Sequence, residues 1–240
     1  MVSIITKTIG NRVYYSGDLH GIETVIVFSK IGKVAAAITA MILLNQFEID
    51  AVIFTGVAGS VVKDLNVGDI VIGDQLYQHD MNASPVFKQH EIPLTGITFF
   101  KSHSELFTQA KKAAEKFILQ DINKYILQQY LQEFSIINPK VQAGKIATGD
   151  QFINDLKQMC IIKETMPDVL AVEMEGASVA QVCFEHNVPF IVIRTISDNI
   201  YNIKLNLICK NMFYCLLYIK NITTQKDGER SGAIFLSCYL

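Results

Sequence analysis

The sequence is poor in the features that would give it a membrane, a nucleic acid or a metal to hold. Its 21 Lys+Arg and 23 Asp+Glu leave a net charge of −2, so no electrostatic footprint for nucleic acid or an anionic bilayer is expected. No apolar run reaches the roughly 20 residues of a membrane span. The longest, Val34 to Leu44, is Ala-rich, follows Gly32-Lys33 and reads as a buried helix. Nothing resembles a secretory signal, because Ser3, Thr6, Lys7 and Thr8 fall where an apolar segment would be needed. The five cysteines, Cys160, Cys183, Cys209, Cys215 and Cys238, form no C-x-x-C pair and no Cys/His cluster. That argues against a disulfide framework or a metal site. Reduced thiols in a cytoplasmic protein, with no metal and no cofactor, are the expectation.

What is present is a globular composition, half hydrophobic and 18% charged over 240 residues, enough for one domain with a substantial core. Strand and helix signals alternate. Arg12 to Ser16 and Glu23 to Ser29 read as a hairpin around Asp18 to Gly21. Lys33 to Phe47 reads as a helix with an almost continuous apolar surface. Asp50 to Thr55 reads as a buried strand ended by a loop at Gly56 and Gly59, and Asp69 to Leu76 as another strand. His79 to Gly96 is a long loop. Ser102 with Glu105 suggests a capping box for a helical pattern recurring through Leu131. Gln142 to Ala147 and Pro189 to Ile196 are strand candidates, and Glu175 to His186 is a buried helix. The alternation predicts an α/β fold, a mixed sheet covered by helices on both faces. A single domain is expected over residues 1–203. Residues 204–240, with the polar break at Asp227 to Gly232, find no place in it.

Three segments carry chemistry at the expected strand ends, where ligands of α/β sheets bind. Phe54-Thr55-Gly56-Val57-Ala58-Gly59 is a run of small residues that lets the backbone approach a ligand, or a tight turn. Ala171-Val172-Glu173-Met174-Glu175-Gly176-Ala177 sets two carboxylates in apolar surroundings, where they need partners or a task. A carboxylate can accept hydrogen bonds from a ribose diol, or cap the helix that follows. Ile193-Arg194-Thr195-Ile196-Ser197-Asp198 delivers Arg, Ser and Asp together. Asp198 can be a general acid or a structural partner of Arg194. His79-Asp80 is a weaker candidate pair, and Phe152-Ile153 can stack on a planar base or fill the core.

In this order the segments resemble the 5′-methylthioadenosine/S-adenosylhomocysteine nucleosidases of the purine nucleoside phosphorylase superfamily. The likeness runs from about Val13 to Asp198. It includes Phe28 to Ala36, Phe54 to Gly59, Val67 to Val71, Gln78 to Pro85, Ala147 to Ile153, Ala171 to Ala177 and Arg194 to Asp198. The resemblance implies a nucleoside-phosphorylase-like fold and hydrolysis of the N-glycosidic bond of adenine thionucleosides, in methionine salvage. Adenine would stack on Phe152 and meet the Ile153 backbone. Glu175, with Met174, would hold the ribose hydroxyls, and Glu173 is counted among the substrate-binding residues. Asp198 would protonate N7 with Ser197 orienting it, and Arg194 would help place the catalytic water. Val57, Ala58 and Gly59 would line the substrate, Ile31 the 5′-thio pocket, and Pro93 would reach a neighbouring subunit's site in a homodimer.

Two departures accompany the likeness. The family's first strand and Gly-rich turn, carrying the glutamate that activates water, would precede Met1, and no acidic residue occurs before Asp18. Such a strand is usually central, so unpaired neighbours, marginal stability and weak hydrolysis are expected. After Asp198 the family's helix with a pocket aromatic is not matched, Phe213 being the nearest candidate. Three readings compete: the hydrolase, a phosphate-dependent phosphorylase and an impaired nucleoside-binding relic. Apolar Val57, where phosphate would want a hydroxyl, favours hydrolysis over phosphorolysis.

Overall fold

The computed structural model describes residues 1–199 and the backbone of 232–236. Phe213, Cys209, Cys215, Cys238 and most of the polar break at 227–232 lie outside them. The strands are β1 (Val2–Ile9), β2 (Arg12–Asp18), β3 (Glu23–Phe28), β4 (Ala51–Ser60), β5 (Ile70–Gln78), β6 (Phe100–Lys101), β7 (Val141–Thr148), β8 (Val169–Glu173), β9 (Phe190–Asn199) and β10 (Gly232–Leu236). The helices are α1 (Lys33–Gln46), α2 (Ser104–Lys116), α3 (Ile122–Tyr125), α4 (Gln128–Glu133), α5 (Leu156–Thr165) and α6 (Gly176–Glu185). The strands form one mixed sheet in the order β1-β2-β3-β10-β4-β8-β7-β5-β6. β9 pairs with both β4 and β5, so β4, β8, β7, β5 and β9 close a ring.

The two-residue period of the strands decides what covers each face. Val52 and Phe54 of β4 and Val192 and Ile196 of β9 pack with Ala36, Ala40 and Leu43 of α1 and Ala177, Ala180 and Cys183 of α6. The alternate residues, Ile53, Ile191 and Ile193, meet Ala110, Ala113, Ala114 and Phe117 on the other face. α5 inserts Met159 and Ile162 beside Ile153, Val169 and Val172. Small residues on the helices let them lie close to the β-branched sheet. The mixed sheet covered on both faces is therefore as the sequence predicts.

Five local expectations change. β4 does not end at Thr55 but runs through both glycines to Ser60. Its parallel partner β9 continues alongside, from Val52 opposite Phe190 to Ser60 opposite Asn199. Ser102 is not a helix cap: its hydroxyl donates to the Gly73 carbonyl at 2.7 Å, and α2 starts after His103 with no side-chain cap. The helical pattern to Leu131 is broken by a π-helical turn at Phe117–Asp121 and by extended backbone at Ile126 and Leu127. α1 buries only a stripe, Ala36, Thr39, Ala40 and Leu43, while Val34, Ile38 and Met41 face outward, Val34 at 71% exposure. Finally, the sheet has no gap between β3 and β4. β10 lies parallel to both, Gly232 opposite Thr24 and Ala51, and Leu236 opposite Phe28 and Thr55. Part of the tail is thus placed, because two inward strand edges leave backbone donors and acceptors that only another strand satisfies. β1, unpredicted, is an edge strand on β2 with mostly exposed side chains.

Candidate active site

Strand pairing gathers the sequence motifs. Gly59 near the end of β4 stands opposite Val172 of β8 on one side and Asp198 of β9 on the other. The next link is β8 to β7, with Glu173 opposite Thr148, and the next β7 to β5, with Thr148 opposite Gln78. The segments 54–59, 78–80, 148–153, 171–177 and 194–198 therefore share one end of the strand ring.

An irregularity between Ala58 and Gly59 shifts the β4–β9 register and sets Asp198 against the glycine. A Cβ on Gly59 would lie 3.0 Å from Asp198 Oδ2, so the missing side chain is what makes room for the carboxylate. Ser197 Oγ donates to Asp198 Oδ1 at 2.6 Å. One oxygen of Asp198 is thereby oriented, and the other, Oδ2, lies over Gly59.

Glu173 and Glu175, two residues apart, have different environments. Glu173 is buried at the N-terminus of α6 and accepts from the amides of Glu175 at 3.1 Å and Gly176 at 2.7 Å, and from the Thr148 hydroxyl. Thr148 Oγ1 in turn accepts from the Ala177 amide at 2.8 Å. Arg194 adds Nη2 at 2.7 Å and Nε at 3.3 Å to Glu173 Oε2, with both side chains fully buried. Its Nη1 donates to the carbonyls of Phe54 and Ile193, and its guanidinium lies 4.3 Å from the centre of the Phe54 ring. The structural partner of Arg194 is thus Glu173 and not Asp198, and Glu173 is the helix cap. Glu175, fully buried, accepts from the Gly32 amide at 2.9 Å across the molecule.

The remaining sequence candidates divide. Phe152 is 44% exposed beside Ile153, which is buried in the cluster with α5. Ile31 is exposed next to Gly32, Met174 is half-buried, and Val57 and Ala58 are buried. Pro93 stands apart, in the turn closed by the Ile92–Ile97 bridge. His79 packs so closely on Gly149 that a Cβ there would lie 2.2 Å from Nε2. Burial pushes the pKa of His79 down, favouring the neutral ring. Burial alone drives Cys183 up to about 12, which makes it an inert core thiol. Among the described residues no group of three or more metal-type ligands forms, and no helix is long and apolar enough to cross a membrane.

Sequence reasoning gave no role to Gly32, Lys33, Thr148 or Asp150 and weighed Asp80 only in a weaker pair with His79, although all contact this end. The available signal was α1 itself. It begins after Gly32 with no Ser, Thr, Asp or Asn cap, so its first amides must find acceptors elsewhere.

A family model described as the Phosphorylase superfamily matches residues 4–206. The chain therefore belongs to the phosphorylase superfamily. A 5′-methylthioadenosine/S-adenosylhomocysteine nucleosidase of Staphylococcus aureus is 36% identical over 186 residues, 77% of this chain and 72% of that protein. Within the superfamily, this chain belongs to the 5′-methylthioadenosine/S-adenosylhomocysteine nucleosidases, a family of N-glycosyl hydrolases. The Colwellia psychrerythraea nucleosidase in complex with adenine superposes with a TM-score of 0.73 at 30% identity, over 92% of this chain and 86% of that one. A futalosine hydrolase mutant of Helicobacter pylori superposes with 0.74 at 32% identity, over 92% and 88%.

Proposed function

We propose that this protein hydrolyses the N-glycosidic bond of 5′-methylthioadenosine and S-adenosylhomocysteine, releasing adenine and the thioribose, as a cytoplasmic homodimer in methionine salvage. The observation that carries the reading is Asp198 at Gly59, with one carboxyl oxygen held by Ser197 and the other over a residue without a side chain. That geometry suits a group that hands a proton to a ligand lying against the glycine.

Cleavage passes through an oxocarbenium-like state whose charge sits on the ribose ring. Glu175, buried and aimed by the Gly32 amide, holds the ribose hydroxyls with Met174 and offsets that charge. Phe152 stacks on adenine and the Ile153 backbone reads its edge. Asp198 protonates N7, which turns adenine into a better leaving group; the C1′–N9 bond breaks, water adds to C1′, and the proton it loses passes to solvent and so restores the one Asp198 gave up. Arg194 acts through Glu173: its guanidinium fixes the carboxylate that accepts from the first amide of α6, and Glu175 is the residue just before that helix. Ile31, Val57, Ala58 and Gly59 line the nucleoside. Pro93 serves the site of a second copy, and the outward Val34, Ile38 and Met41 give α1 an apolar face for it to cover.

The test is adenine release from methylthioadenosine in phosphate-free buffer. Asp198→Asn keeps the shape and removes the proton, so the rate should fall by about 10²–10⁴-fold while nucleoside binding changes little. Cleavage that requires phosphate would mean a phosphorylase. Adenine binding without turnover by the native chain would mean a binding protein.

A further inference from the structure

The N-terminus of α1 is held by side chains from two other parts of the fold. Gly32 has φ +91, a conformation that suits glycine, and its amide reaches Glu175. The next amide, Lys33 N, donates to Asp150 Oδ1 at 2.8 Å. The Asp150 amide donates to Asp80 Oδ2 at 2.9 Å, and Lys33 Nζ donates to Asp80 Oδ1 at 2.7 Å. Lys33, Asp150 and Asp80 thus close a ring of three contacts that joins α1 to the ends of β5 and β7. The Lys33 ammonium also lies 3.3 Å from Gln78 Oε1, and Gln78 Nε2 donates to Gln181 Oε1 of α6 at 2.8 Å. The pair is shielded, with side-chain exposures of 17% and 23%. Burial pushes the Asp80 carboxyl up, but the bonds from Lys33 and the Asp150 amide outweigh it and hold it below its ordinary value.

Two adjacent amides of one helix end therefore go to two carboxylates, Glu175 in the site and Asp150 in the ring. The two amides flank the Gly32 Cα, whose φ +91 and ψ 158 turn them toward different acceptors, so the bond from Lys33 N to Asp150 restrains the backbone rotation that sets the direction of Gly32 N. We infer that Lys33, Asp80 and Asp150 are positioning residues for Glu175: the ring sets the Gly32 amide, and the Gly32 amide aims the carboxylate at the ribose. The inference rests on the proposed reading of Glu175 as the ribose holder. It adds a device that acts on the sugar and leaves the base site alone.

The test compares Lys33→Met and Asp80→Asn with the native full-length chain. Each removes the ion pair while keeping side-chain size, and neither residue adjoins Phe152 or Ile153. Amide hydrogen exchange reports the ring without any ligand: the Gly32 amide should exchange about tenfold faster or more, while Ala40 in the middle of α1 stays protected. Calorimetric titration reports the consequence: affinity for methylthioadenosine should fall about 10–100-fold, with adenine affinity within about twofold. Unchanged Gly32 exchange in both variants overturns the inference. So does a loss that falls equally on adenine and nucleoside, or that unprotects Ala40 as well, since that is general loosening. A native chain that binds no nucleoside defeats the proposed function instead, and the Gly32 exchange still decides the ring.

Discussion

At the scale of the residue, the chemistry turns on how two neighbouring glutamates are made different. Glu173 and Arg194 form an ion pair with no solvent access, in a setting where breaking one side costs more than the pair contributes. The two partners are not equivalent. Without Arg194, Glu173 keeps the Thr148 hydroxyl and the amides of Glu175 and Gly176. Without a charged Glu173, the Arg194 guanidinium has the carbonyls of Phe54 and Ile193 but no anion at this contact. Glu173→Gln should therefore lower unfolding stability by about 3–5 kcal/mol, and Arg194→Leu by less. Urea denaturation of both variants checks the order. An equal or reversed order would mean that packing of the guanidinium on Phe54, and not the uncompensated charge, dominates this site.

At the scale of the element, the strands with dense β-branched runs were legible in the sequence, and the irregular joints were not. Pro189 to Ile196 is apolar and β-branched at nearly every position, and β9 lies there. β8 is only five residues long, too short for its own period to show beside the Glu173–Glu175 motif. α5 has a weak apolar stripe, yet it carried a readable cap: Asp155 accepts from the Gln158 amide at 2.9 Å. The site residues matched by family likeness were legible as identities. Their division into a buried hub, Glu173, and a carboxylate held by the Gly32 amide, Glu175, was not, because it depends on Arg194 and Gly32 arriving from far along the chain. The extension of β4 through Gly56 and Gly59 was hidden for a related reason, since glycines normally weaken strands. Here they allow a close approach. Gly59→Ala sets a methyl 3.0 Å from Asp198 Oδ2, so the carboxylate, held on its other oxygen by Ser197, must shift from its seat. kcat/KM for methylthioadenosine should fall by about 10–100-fold, with little change in melting temperature because Gly59 is only partly buried. An unaltered kcat/KM would separate Asp198 from its seat on Gly59.

At the scale of the whole molecule, the sheet is continuous because a segment from the far end of the sequence enters its middle. The edges it joins are not peripheral: Val25 and Val27 of β3 and Val52 and Phe54 of β4 are core residues. β3 leads directly into Ser29 to Gly32, and β4 carries Gly56 and Gly59 within it, so β10 sits between the strand that feeds the α1 N-terminus and the strand that seats Asp198. The expectation of unpaired central strands followed from the family likeness and named no position in the sheet. Parallel pairing between distant segments leaves no local signature, and Gly232 to Leu236 follows a polar break that looks like the start of a tail. The placement predicts that proline within β10 should unbalance the whole fold. Ile234→Pro removes an amide from a strand paired on both sides and forbids ladder geometry there, and the partner carbonyl left unpaired alone costs about 1–3 kcal/mol. Thermal unfolding of the full-length variant should show a clear drop in midpoint, together with faster amide exchange in Thr24 to Phe28 and Ala51 to Thr55. Exchange confined to the last residues of the chain, with an unmoved midpoint, would show that β3 and β4 do not depend on this strand.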